Sequence, residues 1–394
     1  MKGADATSGV RSVIAAALLL MIVLGSLYSW SVFILPLEQT LNISRAGVSG
    51  IFSLATLTFT LGMLIAPLLY SRLSAVRLAV CTGVLAALGH FLAASLVPEL
   101  VFIGYGGLFG LANGIGYSLA VQSVQETGGH HRGRWTGIIV AGYTFGAALC
   151  APAFERLLTN AGPAIAFLAI GFGLAVAIAI VAWLFARSGL GMLGVGSLIH
   201  SGPPQLRSFA LLWLAMALGS LAGVFALGHA AGLLASLEQG TAFASMGVVL
   251  VSIGNGLGRV LGGWSGERDQ PQRRVAMLQG VAALALALMA SLGEPTVLLL
   301  GLLIAGIGYG WMAGAFPLIV AGYWGVERVG MVYGRLFTAW GCAAVLGPWL
   351  GGRLFDLSDG YHIALAAAAL SALAACLALL LLPPQERQYQ IQRI

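Results

Sequence analysis

Long apolar stretches alternate along the chain with short polar gaps marked by charge, Pro or Gly. The stretches lie near 12–37, 45–70, 78–97, 101–125, 133–158, 163–186, 208–236, 241–264, 273–292, 296–322, 330–354 and 361–382. Each can cross about 30 Å of hydrocarbon as a helix rising about 1.5 Å per residue. The pattern predicts an all-α polytopic membrane protein with twelve transmembrane helices. The first stretch is too long for a signal-peptide core and reads as a span. The longest polar gap, 187–207, holds Gly189, Gly191, Gly194, Gly196 and the pair Pro203 and Pro204, which is linker composition. It divides the chain into a six-helix bundle at 1–186, a linker at 187–207, and a second six-helix bundle with a short tail at 208–394.

An internal repeat supports this division. Gly114-Ile-Gly-Tyr117 recurs as Gly306-Ile-Gly-Tyr309, and Gly133-x-x-x-Gly137 as Gly330-x-x-x-Gly334. Ala147-Ala148-x-x-x-Pro152 is answered by Ala343-Ala344-x-x-x-Pro348, and Arg156-Leu157 by Arg353-Leu354. Four matches in one order at a nearly constant offset are hard to attribute to composition. They predict two pseudo-symmetric bundles, the build of a carrier whose site lies at midplane between the halves.

Composition agrees, with 59% hydrophobic and 8% charged residues against roughly 25% charge in soluble domains. The formal charge of +6 does not point to nucleic acid, because the basic residues sit in short loops between apolar stretches. Placing both termini in the cytoplasm leaves only Arg45, Arg156 and Arg353, of 19 lysines and arginines, on the opposite side, with Arg259 inside a span. The expected location is the cell (inner) membrane, with the lipid bilayer as partner. Cys81, Cys150, Cys342 and Cys376 read as small buried hydrophobes, since their spacing fits neither a disulfide framework nor a metal site.

Arg259 is the one charged side chain in the interior of an apolar stretch. An unpaired Arg in hydrocarbon costs roughly 3 kcal/mol on insertion scales. No Asp or Glu falls in the middle of any stretch, so no midplane partner is available. Asn255 is one turn earlier on the same helix face. The arginine fork suits a carboxylate, so Arg259 and Asn255 are expected to hold a small organic anion. The repeat pairs Tyr117 with Tyr309 as further donors facing a central cavity, and Asn113 shares the face of Tyr117. Tyr28 and Trp30, and Phe337 and Trp340, fit either cavity walls or ordinary packing. Gly254, Gly258 and Gly262 form a close-packing row. His229 is a possible proton relay, although a satisfied structural histidine is favoured there and still more at His90. His130 and His131 show no metal geometry. No catalytic triad, zinc spacing or phosphate loop is credibly placed, so no enzyme chemistry, cofactor or metal is expected.

The whole pattern resembles the major facilitator superfamily. Its loop fingerprint looks preserved at Gly263-Trp-Ser-Gly-Glu267-Arg268, and degraded at Ala66-Pro-Leu-Leu-Tyr70-Ser71-Arg72. Within the superfamily the likeness is to oxalate/formate antiporters and monocarboxylate transporters. It is carried by Tyr28-Ser-Trp30-Ser-Val-Phe33 with Pro36, Asn255-x-x-Gly258-Arg259, Ala315-Phe316-Pro317, and Tyr333-Gly334-x-x-Phe337-Thr338-Ala339-x-Gly341 ending in Gly347-Pro348. The resemblance implies that Arg259 grips a carboxylate. It implies that Tyr117 and Tyr309 are binding tyrosines, and that Asn255 stands where animal carriers have an acidic partner. Trp340 stands where the oxalate exchanger carries a second cation, a lysine. The expected function is alternating-access transport of a monocarboxylate of lactate, pyruvate or hydroxy-acid type, with a proton, by a monomer. Two alternatives remain open, an anion exchanger of the oxalate/formate type and a non-transporting sensor or assembly protein.

Overall fold

The computed structural model describes residues 2–127, 132–193, 206–236, 241–265, 270–325 and 329–383. Most of the expected linker, the Glu267-Arg268 fingerprint and the His130-His131 pair lie outside the described residues. In chain order the elements are α1 (Lys2–Leu24), a 3-10 segment (Gly25–Phe33), α2 (Ile34–Leu41), α3 (Arg45–Tyr70), α4 (Ala75–Ala93) and α5 (Pro98–Val101). A π segment (Phe102–Phe109) follows, then α6 (Gly110–Thr127), α7 (Arg132–Ser188), α8 (Leu206–Ala235) and α9 (Thr241–Ser265). The chain closes with α10 (Pro271–Leu292), α11 (Pro295–Trp324), α12 (Val329–Ser358) and α13 (His362–Leu380).

Helix ends follow local chemistry. The Ser44 side chain caps α3 by accepting from the Gly47 N–H at 3.2 Å, and Ser74 does the same for α4 from Arg77 at 3.4 Å. Pro98, Pro271 and Pro295 sit in first turns, where a missing N–H costs nothing. Asn42, Gly293 and Gly325 stop α2, α10 and α11 with positive φ.

Among the described residues, ten helices are long and apolar enough to cross a membrane. One, Trp135–Ser188 at 54 residues, is two helices in line, because Gly162 (φ 78°, ψ 172°) breaks it just before Pro163. The expected stretch 330–354 is helical as α12 but is not among the ten; Arg335 and Arg353 lie within it. The apolar pattern did not foresee the 3-10 and π segments. Both replace regular helix next to aromatic side chains that face the interior, and such irregular turns often mark functional positions. The cysteine expectation needs correction: all four are free, but none is buried, with Cys81 and Cys342 exposed and Cys150 and Cys376 half-buried. A small apolar thiol is tolerated on a lipid-facing helix as readily as in a core.

The bundle interior rests on close helix pairs. In the second half α9 packs on α11 through reciprocal glycines. A methyl at Gly254, Gly258 or Gly262 would meet the carbonyls of Leu303, Ile307 or Trp311 at 2.3, 2.3 and 2.4 Å, and one at Gly306, Gly310 or Gly314 would meet those of Val251, Asn255 or Arg259 at 2.3, 2.0 and 2.3 Å. The first half repeats the device between α3 and α6. Gly62 faces the Leu111 carbonyl and Gly114 that of Phe59. These contacts recur at the offset that relates Tyr117 to Tyr309, so the sequence repeat is also a packing repeat. Across the halves α7 packs on α9 and α3 on α12. Gly310→Ala is expected to lower stability in detergent by roughly 1–3 kcal/mol through overpacking. Gly334→Ala, where a methyl meets nothing within 4 Å, is expected to leave it unchanged; thermal denaturation of the purified protein checks both.

Candidate functional site

The glycine row turns one face of α9 onto α11. Asn255 and Arg259 are each one residue past a row glycine, about 100° around the helix, and so face the interface between the halves. Arg259 Nε donates to Asn255 Oδ1 at 3.0 Å. Asn255 is fully buried, and its amide Nδ2 has no protein partner among the described residues. The phenols of Tyr117, Tyr28, Tyr309 and Tyr333 are the main charge neighbours of the Arg259 guanidinium. No carboxylate forms an ion pair with it among the described residues. Two of these tyrosines come from the first bundle and two from the second.

Aromatic rings close around this cation. Tyr28 packs edge-on against Tyr143 at 5.1 Å, and Tyr117 against Tyr143 at 5.4 Å. Phe59 meets Tyr117, Tyr143 and Trp340 at 5.6, 6.3 and 5.5 Å, and so ties α3 to α6, α7 and α12. Phe337 stacks on Trp340 at 5.0 Å. The Trp340 indole Nε1 donates to the Tyr309 oxygen at 2.6 Å. Chemically the site is one fixed cation with phenol and amide donors on a low-dielectric aromatic wall, which suits a small anion with an apolar body.

The structure thus brings Arg259, Asn255, Tyr28, Tyr117, Tyr309, Phe337 and Trp340 together. Asn113 joins them only indirectly. Its Nδ2 donates to the Leu24 carbonyl at 2.8 Å and its Oδ1 accepts from the Tyr143 hydroxyl at 2.8 Å. It anchors α1 and orients Tyr143. Trp30 packs inside the first bundle on Tyr105 and Phe33. His90 is held by the Ala86 carbonyl at 2.9 Å, also within that bundle. Sequence reasoning missed Tyr143, Tyr333 and Phe59 as site residues. Tyr333 lies in a segment already noted for its resemblance, whereas nothing local distinguishes Phe59 or Tyr143 from core aromatics.

The model of the Major Facilitator Superfamily matches residues 14–291 and 208–393. The chain belongs to the Major Facilitator Superfamily. An uncharacterized MFS-type transporter of Escherichia coli K12, YhjX, is 25% identical over 82% of this chain and 82% of that protein. The oxalate:formate antiporter of Oxalobacter formigenes is 24% identical over 86% of this chain and 84% of its own length. Solved structures with the same fold include a bacterial homolog of the human lysosomal transporter Spinster (TM-score 0.71, 16% identity, 95% of both chains). The nucleoside transporter NupG, solved as a point mutant, is another (TM-score 0.68, 16% identity, 93% of this chain and 99% of that one).

A superfamily carrier needs the two halves to part and rejoin on either side of its site. At one end of this bundle they are joined. Arg45 forms a two-pronged ion pair with Glu38, Nε to Oε1 at 2.6 Å and Nη2 to Oε2 at 2.7 Å, and its guanidinium lies 3.9 Å over the Phe355 ring. Its Nη1 donates across the halves to the Tyr361 hydroxyl at 3.1 Å. Asp356 accepts from the Ala46 N–H at 2.9 Å. His229 completes the chain, with Nε2 2.8 Å from the Pro348 carbonyl and Nδ1 3.2 Å from the Tyr361 hydroxyl. A carbonyl only accepts, so Nε2 carries the ring proton. The Tyr361 oxygen accepts from Arg45, so its own proton is free to be donated to Nδ1. His229 thus has both nitrogens engaged, and it is not among the main charge neighbours of Arg259. Toward the other end Gly137 and Gly334 face open space. Two cavities of about 510 and 490 Å³ flank Glu155 and include none of the Arg259 cluster.

Arg45→Ala leaves Glu38 unpaired in a largely buried setting, which costs roughly 3 kcal/mol. The expected outcome is an opened end. Ser49→Cys in a cysteine-free background, 1% exposed as the native serine, is expected to react with a membrane-impermeant maleimide only when Arg45→Ala is also present. Equal protection in both backgrounds would show that the cluster does not hold this end shut.

Proposed function

We propose that this superfamily transporter carries small monocarboxylates of the lactate, pyruvate or hydroxy-acid type, with a proton, by alternating access. The observation that carries this reading is the surroundings of Arg259, a half-buried guanidinium among phenol and amide donors with no described carboxylate beside it. Charge-assisted hydrogen bonds to a carboxylate contribute roughly 1.5–3 kcal/mol each. Two of them offset the roughly 3 kcal/mol cost of the arginine in hydrocarbon. The loaded site is then close to neutral, and a neutral site can cross the low-dielectric centre as the halves rock. Residues 1–186 and 208–394 act as the rocking units, joined by 187–207. The charge distribution supports cytoplasmic termini, with the Arg45 cluster at the outer end. The carrier works as a monomer.

One cation balances one negative charge. A dianion would leave an uncompensated charge at midplane at a cost of several kcal/mol, and Trp340 brings an indole N–H rather than a second cation. This favours monocarboxylates over oxalate. Arg259 never releases its proton, so the co-transported proton rides on the substrate or on water among the tyrosines. A second reading, anion exchange, is supported by the likeness to the oxalate:formate antiporter of Oxalobacter formigenes.

In a thermal-shift screen of small carboxylates, lactate and pyruvate are expected to stabilise the parent, and Arg259→Gln is expected to abolish the shift. Stabilisation by oxalate above all others would overturn the single-charge reading. In vesicles, an imposed pH gradient is expected to drive net lactate uptake. Counterflow from preloaded vesicles without pH-driven net uptake would favour exchange.

A further inference from the structure

The contact between Trp340 and Tyr309 has a direction. An indole N–H can only donate, so in the 2.6 Å bond from Trp340 Nε1 the Tyr309 oxygen accepts. A phenol oxygen has two lone pairs and one proton. With the Trp340 N–H already on its oxygen, the group Tyr309 has left to offer an anion is its own O–H. Tyr309 is 2% exposed and among the main charge neighbours of Arg259. A carboxylate held by that guanidinium is the strongest acceptor within its reach, because a bond to an ionised acceptor is about twice as strong as one between neutral groups.

We propose that Trp340 is a positioning residue: its indole N–H occupies the Tyr309 oxygen, so that Tyr309 presents its proton, not its lone pairs, to the substrate carboxylate. This rests on the carboxylate reading above. It adds a specificity rule, since a phenol locked as donor rewards an anionic oxygen and rejects a substrate hydroxyl or ammonium that must donate there. Phe59 at 5.5 Å and Phe337 at 5.0 Å clamp the indole ring between α3 and α12, so its N–H has little freedom to turn away. The bulky alternative, in which Trp340 merely fills space, predicts no dependence on the ring nitrogen.

The experiment is a double-mutant cycle on the full-length carrier with L-lactate as probe, read by thermal-shift titration and counterflow. Trp340→Phe keeps the aromatic packing and removes the N–H. It is expected to raise the lactate Kd roughly three- to tenfold, the worth of one net hydrogen bond. Tyr309→Phe is expected to weaken binding at least as much, and the double variant to match Tyr309→Phe alone. Trp340→His, which retains a ring N–H, is expected to recover part of the affinity. If Trp340→Phe is silent, or its effect multiplies with that of Tyr309→Phe, the proposal is wrong. A substrate-independent readout separates it from the carboxylate reading. The ¹⁹F resonance of 3-fluorotyrosine at position 309 is expected to shift on Trp340→Phe. No shift overturns the positioning role whatever the substrate. A shift without lactate binding, in a parent that no tested carboxylate stabilises, keeps the Trp340 to Tyr309 bond and discards the carboxylate ligand.

Discussion

A half-buried guanidinium with no carboxylate at ion-pair distance among the described residues is the constraint around which this molecule is arranged. The charge cannot be neutralised by losing a proton, because arginine stays protonated under all physiological conditions. It cannot snorkel to water cheaply either. The reciprocal glycines of α9 and α11 bring the two backbones so close that even a methyl would collide with a carbonyl at Gly310. The helix that carries Arg259 is therefore held in one register. What remains is partial solvation: Asn255 at 3.0 Å, and four tyrosines as the main charge neighbours. Such a site is polar enough to tolerate the cation and too poor in anions to satisfy it.

The far end of the bundle handles charge in the opposite way. Arg45 is saturated, with both Glu38 oxygens, the Tyr361 hydroxyl and the Phe355 ring as partners. From there a directional chain of hydrogen bonds runs through Tyr361 and His229 to the Pro348 carbonyl. A fully satisfied network in a partly dry setting is rigid, and losing one member leaves the others unpaired. Saturation suits a part that must hold the halves together. An unsaturated cation suits a part that must bind and release. The same residue type serves both, and the difference lies in whether an acid was supplied within the protein.

Much of this was legible in the residues. The alternation of apolar stretches and short gaps located the helices, and the repeat of Gly114-Ile-Gly-Tyr117 at Gly306-Ile-Gly-Tyr309 anticipated a packing repeat. The census of acids singled out Arg259. Other features had no local signal. Phe59 and Tyr143 look like any core aromatic in an apolar helix, yet they bridge four helices at the site. Asn113 sits on the face of Tyr117, but its amide is used up on Leu24 and Tyr143. Arg45 and Tyr361 lie 316 residues apart, and each alone resembles an ordinary residue at a helix end.

Composition and periodicity by themselves determined the membrane class, the helix positions, the two-fold repeat and the one costly charge. These depend on how each residue partitions between water and hydrocarbon and on spacing along one helix, both local properties. Only the tertiary structure decided which donors converge on Arg259 and which way the Trp340 to Tyr309 bond points. Only it turned His229 from a free imidazole into a member of a satisfied chain. Hydrogen bonds between distant helices depend on angles and distances of a few tenths of an ångström, and no pattern along the chain encodes those until the glycine rows have set how closely the helices approach.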